Sequence, residues 1–394
     1  MPKRVLAIVK PEMLAWGRES AGLSIEEAAA KAGVASERLS QWEQGASVPT
    51  LGQVRALSSA YKRSLATFFL PEPPLEPPPI HDFRRMPEEG APGLSPELRV
   101  EIRKAYRRRR LALEILEETQ ELLAFDLHAD LDSDPEETAE YIRNRLGITS
   151  ESQSRWTGNY GYDAFVNWRT ALEKANVLVF QARGIDENEM RGFCIGDTPL
   201  PVIVVNIKDS STGRTFSMLH ELVHILLHSG GLCDLSETAS VADDRRTEVF
   251  CNHVAGAMLI PRRHLLQESI VRRKEGQFEW TNEELESLAR HYGVSPEAVL
   301  RRLLICGRTT DAFYREKRQE FLRRYAALRQ RRQERSGFAT PDVLAIATAG
   351  RPFVRLVLNG YNQDRISATD VSDFLGVRLK HLSKIESDLL VHQS

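Results

Sequence analysis

The chain has 394 residues, 42% of them hydrophobic and 27% charged, with a net charge of −2. This is the balance of a folded globular protein long enough for about two to four domains, and it excludes global attraction to nucleic acid or a membrane, so any such contact must be local. No run approaches the roughly 18 apolar residues of a membrane span, and Met1-Pro2-Lys3-Arg4 leads into no signal-peptide core. The expected location is therefore cytoplasmic, with Cys194, Cys233, Cys251 and Cys306 as reduced thiols.

Residues 11–70 read as a compact all-α unit. Pro11 opens a helix that stops at Gly22, and Ser24 with Glu27 forms a capping box for the next, Ile25 to Ala32. Gly33-Val34 turns the chain, and Ser36 is expected to cap Glu37–Gln44. Pro49-Thr50 opens Leu51–Tyr61, and Ser64 a last helix to Leu70. Two helices joined by a short Gly turn form a helix-turn-helix arrangement. The pattern from Leu23-Ser24 through Gly33-Val34, Leu39-Ser40, Trp42-Glu43 and Gly45 to Pro49-Thr50 resembles the XRE (Cro/repressor-like) DNA-binding domain. The resemblance puts Ser36, Arg38, Ser40 and Gln41 at or near the groove face, where glutamine reads adenine well. Residues 1–70 hold nine Lys/Arg against six Glu, so a single unit should bind DNA weakly. The competing reading keeps this fold for dimerisation or for docking another protein of its kind.

Nine of the 19 prolines fall in residues 71–96, which read as a semi-rigid linker. Within it, Asp82-Phe83-Arg84-Arg85 is similar to a short motif found after the XRE unit in related proteins, with a packing role expected for Phe83. A long helix follows from Ser95-Pro96 to about Phe125, with seven Lys/Arg between Arg99 and Arg110 that could meet phosphate or form a solvated face. Asp134-Pro135 opens a helix that ends at Gly147, and Tyr162–Asn176 is helical. Strands are expected near Val177–Gln181, Arg191–Cys194 and Val202–Ile207, the last from its β-branched run. A strand on the rim of a cleft can bind an extended peptide along its free edge.

Ser211 and Thr212 offer caps for the next helix, and Gly230-Gly231 ends it. It contains His220-Glu221-Leu222-Val223-His224. Two histidines at i and i+4 share one helix face and can hold one zinc ion, while Glu221 can act as general base. Phe216, Leu219, Leu222, Val223 and Leu226 make the apolar face; Ser217, Glu221, His224 and His228 make the polar one. Two histidines leave a tetrahedral metal short of one protein ligand. Glu248 lies in the next helix, where Val249, Val254, Ala257 and Met258 are expected to pack and Pro261 to stop it. Glu248 is the expected third ligand and Asn252 the residue that orients a ligating histidine; the plain alternative for Glu248 is a first-turn carboxylate favoured by the helix dipole.

The ordered set His220-Glu221-x-x-His224 and Glu248-x-x-x-Asn252, after Asn206-Ile207-Lys208-Asp209, looks like the ImmA/IrrE family of zinc metallopeptidases over about residues 160–265. The resemblance implies His220, His224 and Glu248 as ligands of one zinc, Glu221 as catalytic base, and a helix-turn-helix repressor as the protein cleaved or antagonised. Tyr160, Tyr162 and His228 are candidates for stabilising an oxyanion, and His228 also for supporting the metal ligands.

Beyond Pro261 the chain is helical. The cadence Gly33-Val34 returns at Gly293-Val294 and Gly376-Val377. Arg301–Arg335 carries twelve Lys/Arg against four acids, interleaved with Phe313, Tyr314, Phe321 and Tyr325. Either a nucleic-acid surface or a solvated basic helix with inward aromatics fits that pattern. Ser336-Gly337 then breaks it.

The expected fold is mainly α with a small α+β core. Its domains are a helix-turn-helix unit at 1–70, a linker at 71–96, a zinc metallopeptidase domain at 97–265 and a helical region at 266–394. The leading function is a zinc endopeptidase in transcriptional regulation, with DNA and a repressor as partners, a homodimer as candidate assembly and no membrane contact. The alternatives are a non-catalytic DNA-binding regulator whose metal domain is a sensor or protein-binding module, and an antitoxin-like protein using the first unit for a protein contact.

Overall fold

The computed structural model describes residues 5–74, 94–119, 124–156, 158, 161–229, 241–334 and 340–391, with the side chains of 119, 228, 229, 241–244, 326–334, 390 and 391 outside the description. Most of the expected linker, with Phe83, lies outside these residues, as do Tyr160, Cys233, Gly230-Gly231 and Ser336-Gly337. The chain divides into two units, Met1–His81 with Pro87–Arg107, and Asp82–Met86 with Arg108–Ser394.

In the first unit, α1 (Pro11–Ser20), α2 (Ile25–Ala32), α3 (Ser36–Glu43) and α4 (Leu51–Ala60) precede a 3-10 turn at Leu65–Phe69. Capping boxes form at Ser24 with Glu27 and at Thr50 with Gln53. Gly33 ends α2 at φ 67°, a conformation costly for residues with a Cβ. Leu14, Ala28, Leu39, Trp42, Val54, Leu57, Tyr61 and Phe68 share one core. Arg18 grips Glu43 in a two-bond fork, both at 2.9 Å, tying α1 to α3. Two local readings are corrected. Ala35, not Ser36, is the N-cap of α3, because the helix begins one residue earlier than expected. The last expected helix is a 3-10 turn, Leu65–Phe69, with Ser64 as its N-cap.

The division falls within α5 (Pro96–Thr119). The second unit continues with α6 (Pro135–Arg145), α7 (Ser150–Ser154), α8 (Tyr162–Lys174), β1 (Leu178–Ala182), β2 (Gly192–Ile195) and β3 (Val202–Asn206). Then come α9 (Ser211–Ser229), α10 (Val241–Leu259), α11 (Arg262–Gln267), α12 (Ser269–Arg273), α13 (Asn282–Tyr292), α14 (Pro296–Ile305) and α15 (Asp311–Glu334). Helices α16 (Pro341–Ala349), α17 (Arg351–Asn362), α18 (Ala368–Leu375) and α19 (Leu382–Val391) complete it. The architecture is mainly α around a small sheet.

The sheet order is β1-β3-β2. The β-branched run forms the central strand: Val202 to Asn206 are all at most 1% exposed. β1 pairs with it in parallel, and β2 runs antiparallel, with Gly192 opposite Val205 and Cys194 opposite Ile203. Among the described residues β2 pairs only with β3, so its other side is a free edge. Helix α9 packs across β2 and β3, between α8 and α10.

A polar latch fixes the helices behind α9. Glu136 on α6 accepts two 2.8 Å bonds from the Arg302 fork on α14 and lies 2.9 Å from His253 Nε2 on α10. The remaining Arg302 nitrogen, Nε, donates to the Ile260 carbonyl at 2.9 Å.

Several cations of the basic stretches are engaged within the fold. Arg108 donates to the Phe374 carbonyl and lies over the rings of Phe180 and Phe353. Arg109 donates to the Leu200 carbonyl. On α15, Tyr314 and Phe321 are buried, while Arg315, Lys317 and Arg324 pair with Asp311, Glu320 and Glu286. Tyr325 on the same helix is 40% exposed, so both readings of that segment stand.

Candidate metal centre

Helix α9 is capped one residue before the expected hydroxyls: Ser210 Oγ accepts the Gly213 N–H at 3.0 Å. Upstream, Asn206 Nδ2 donates to the Met190 carbonyl at 2.9 Å and Oδ1 accepts the Lys208 N–H at 3.0 Å, shaping the strand-to-helix turn. The helix is buried beyond one face. Met218, Leu219, Leu222, Val223, Ile225 and Leu226 are fully buried, and so, nearly, are His220 (1%), Glu221 (5%) and His224 (1%). Three ionisable groups inside an apolar sleeve cost several kcal/mol unless they are matched by partners.

The matching group for the histidines comes from α10. His220 Nε2 and His224 Nε2 lie 3.1 Å apart. Glu248 Oε1 is 3.2 Å from His224 Nε2, and Oε2 is 3.6 Å from His220 Nε2. A zinc ion with ligands at about 2.0–2.1 Å in tetrahedral geometry would separate its donors by about 3.3–3.4 Å; the observed separations bracket that value, with the two histidines facing different oxygens of the Glu248 carboxylate. The donor chemistry fits too. Two imidazole lone pairs and a carboxylate converging on one point repel each other unless a cation or protons sit between them. Among the described residues this is the one His/Cys/Asp/Glu cluster that could hold a metal. Burial pushes the Glu248 carboxyl up, but the hydrogen bonds and charges of His220 and His224 outweigh it and hold it at about 2. The third donor is thus an anion at any physiological pH.

Glu221 points from α9 towards the edge strand. Its Cγ and Oε1 would each lie 3.2 Å from a Cβ placed on Gly192. The Cys194 thiol, two residues along the same strand face, is pushed well above its ordinary range by burial and by the charge of the Glu221 carboxylate. Neither residue stood out in the sequence. The available signal was a glycine inside a strand, which often marks a close approach.

The other expected site residues are less central. Asn252 is exposed and makes no hydrogen bond to either histidine among the described residues; His220 Nδ1 is buried there without a partner. Four residues advance a helix by about 400°, so Asn252 is rotated about 40° from Glu248, here outward. Val249, expected to pack, is 62% exposed, whereas Val254, Ala257 and Met258 are buried. The His228 side chain lies outside the described residues, and Tyr162 is 46% exposed at the start of α8. In the first unit Arg38 and Gln41 are exposed on α3; Ser36 and Ser40 are half-buried, Ser40 Oγ accepting a 3.0 Å bond from Gln44.

No curated protein and no solved structure matches the chain. Two family models do. Residues 173–304, which include β1–β3, both ligand helices, α13 and all but the last residue of α14, match Peptidase_M78, the IrrE N-terminal-like domain, and residues 14–68 match a helix-turn-helix model. The chain therefore joins an N-terminal helix-turn-helix domain to an IrrE N-terminal-like, metallopeptidase-type domain.

Proposed function

We propose that this chain is a zinc-dependent endopeptidase coupled to a DNA-binding domain, and that it regulates transcription by cleaving or antagonising a helix-turn-helix repressor in the cytoplasm. The observation that carries the reading is the triangle of His220, His224 and Glu248 with the Glu221 carboxylate on the adjoining helix position. A zinc ion held there would polarise a scissile carbonyl and make water a better nucleophile. Glu221 would serve as the general base, taking a proton from the attacking water and passing it to the leaving amine. An extended peptide can add along the free edge of β2, the strand against which Glu221 packs. On α3, Arg38 and Gln41 are exposed for phosphate and base contact, with Ser36 and Ser40 beside them. The weak positive charge of the first unit makes a homodimer the proposed DNA-binding form.

The test is Glu221→Gln. Zinc content should stay at wild-type level, and cells expressing the variant should lose new protein N-termini that the wild type creates within a helix-turn-helix repressor. Identical N-terminal peptide profiles for the two proteins would refute the peptidase assignment. Intact regulation by the variant would show that turnover is dispensable.

A further inference from the structure

A general base has to be held in place as well as present. Displacement by about 1 Å can reduce catalysis a hundredfold. The carboxylate of Glu221 sits at the end of a flexible side chain on a helix packed against the edge strand, so its placement depends on what that strand presents.

β2 alternates. Phe193 and Ile195 are buried on one face; Gly192 and Cys194 occupy the other, half-buried, towards Glu221. The glycine has no positive φ, so its backbone conformation is open to any residue. What excludes a side chain is space: a Cβ would lie 3.2 Å from both Cγ and Oε1 of Glu221 and 3.3 Å from the Val204 carbonyl. An alanine would have to displace the carboxylate by a few tenths of an ångström. Next on that face, two residues along, Cys194 is the group of this strand that can pair with Glu221, whose charge together with burial keeps the thiol protonated. A carboxylate has no hydrogen to give, so the thiol is the donor. The strand thus presents one position without a side chain and one proton donor, both directed at the same carboxylate.

We propose that Gly192 and Cys194 are positioning residues for Glu221, the glycine by leaving its space open and the thiol by donating to the carboxylate. This rests on the reading of the site as a zinc peptidase centre. It accounts for a residue pair that neither binds the metal nor belongs to the HExxH motif.

The test uses the full chain loaded with zinc, and acetohydroxamic acid as probe. A hydroxamate that chelates zinc has a hydroxyl for the neighbouring carboxylate to accept, so its affinity reports where Glu221 stands. Zinc stoichiometry and calorimetric affinity are measured for wild type, Gly192→Ala, Cys194→Ala and Cys194→Ser, and for the cysteine variants combined with Glu221→Gln. All should retain zinc. Gly192→Ala and Cys194→Ala should bind the hydroxamate about tenfold more weakly, as expected for loss of one hydrogen bond to a charged group. Cys194→Ser, which keeps a donor, should recover most of the affinity. In the Glu221→Gln background, Cys194→Ala should add little, because the partner it positions is gone. Unchanged affinity in Cys194→Ala, failure of serine to rescue, or an equal loss in the Glu221→Gln background each overturns the proposal while leaving the metal site standing. Wild type that takes up no zinc, or that binds zinc but no hydroxamate, overturns the peptidase reading itself. If Gly192→Ala does not fold, the alanine and serine variants at 194 still decide the matter.

Discussion

Glu248 reaches the histidines from α10, which packs on α9 and α6, and the latch around Glu136 ties α6 to α10 and α14. Replacing Glu136 by Gln leaves the Arg302 guanidinium, whose side chain is 2% exposed, without a counter-charge. Breaking one side of a buried pair costs about 3–5 kcal/mol. A second route gives a similar figure. Burial raises the Glu136 carboxyl, but its bonds to His253 and Arg302 outweigh that and hold it at about 2, against an ordinary 4.5. At about 1.4 kcal/mol per pH unit this amounts to about 3 kcal/mol. For a unit of this size, about 2 °C of melting temperature per kcal/mol then gives a fall of about 6 °C.

The pH dependence has a definite sign. A carboxyl with a depressed folded-state pKa stabilises fully above its unfolded value and loses that contribution as pH falls through the folded one. The gap in melting temperature between wild type and Glu136→Gln should therefore be widest above pH 4.5 and close as pH falls towards about 2. Scanning calorimetry of the full chain at several pH values measures it. Pairing Glu136→Gln with Arg302→Met, which removes the stranded charge, should recover most of the loss. A Glu136→Gln melt within about 1 °C of wild type, or a gap that does not narrow in acid, would refute the reasoning.

Further outcomes are expected at the two functional surfaces. After dialysis against zinc-free buffer, wild type should retain about one zinc per chain and Glu248→Ala well under half, since the triangle loses its only anion; elemental analysis decides, and equal retention contradicts the ligand assignment. DNA sequences enriched from a random library by the full chain should bind with marked salt dependence. Arg38→Ala should lower the salt slope by about one and Gln41→Ala should relax sequence preference. Binding indifferent to salt and to both variants would leave the first unit a protein-docking module.

Much of this site was readable from the chain because helical spacing is short-range geometry. His220 and His224 must share a face once the segment is helical, and Glu221 must lie beside them. Glu248 was less secure: its part depends on two helices meeting, which no local rule fixes. Asn252 shows where periodicity runs out, because a 40° offset near the rim of a helix decides between a buried contact and solvent. Gly192 and Cys194 lie on a strand 27 or more residues before Glu221, and their relation to it exists only in the packing of β2 against α9. Charge runs stay ambiguous for a related reason. A count over Arg99–Arg110 or Arg301–Arg335 cannot see that Arg108 and Arg109 turn to carbonyls, or that several α15 cations already have carboxylate partners.

The repeated Gly-Val turn makes the same point at the level of a motif. Gly33, Gly293 and Gly376 take φ of 67°, 68° and 68°, each after a helix opened by a capping box. The N–H of the following valine bonds back to Ala29, Ala289 or Ser372. Local sequence thus dictates the same corner three times. What the second helix does is set by its surroundings. On α3, Arg38 and Gln41 face solvent and can enter a groove. On α14, Val299, Leu300 and Leu303 are fully buried, Arg302 is fixed to Glu136, and α15 packs alongside. After Gly376 the chain passes through a short 3-10 turn before α19, whose Lys384 pairs with Asp342. A helix-turn-helix corner is therefore a way of joining two helices, and becomes a reader of DNA only where the second helix is left uncovered and its polar side chains unclaimed.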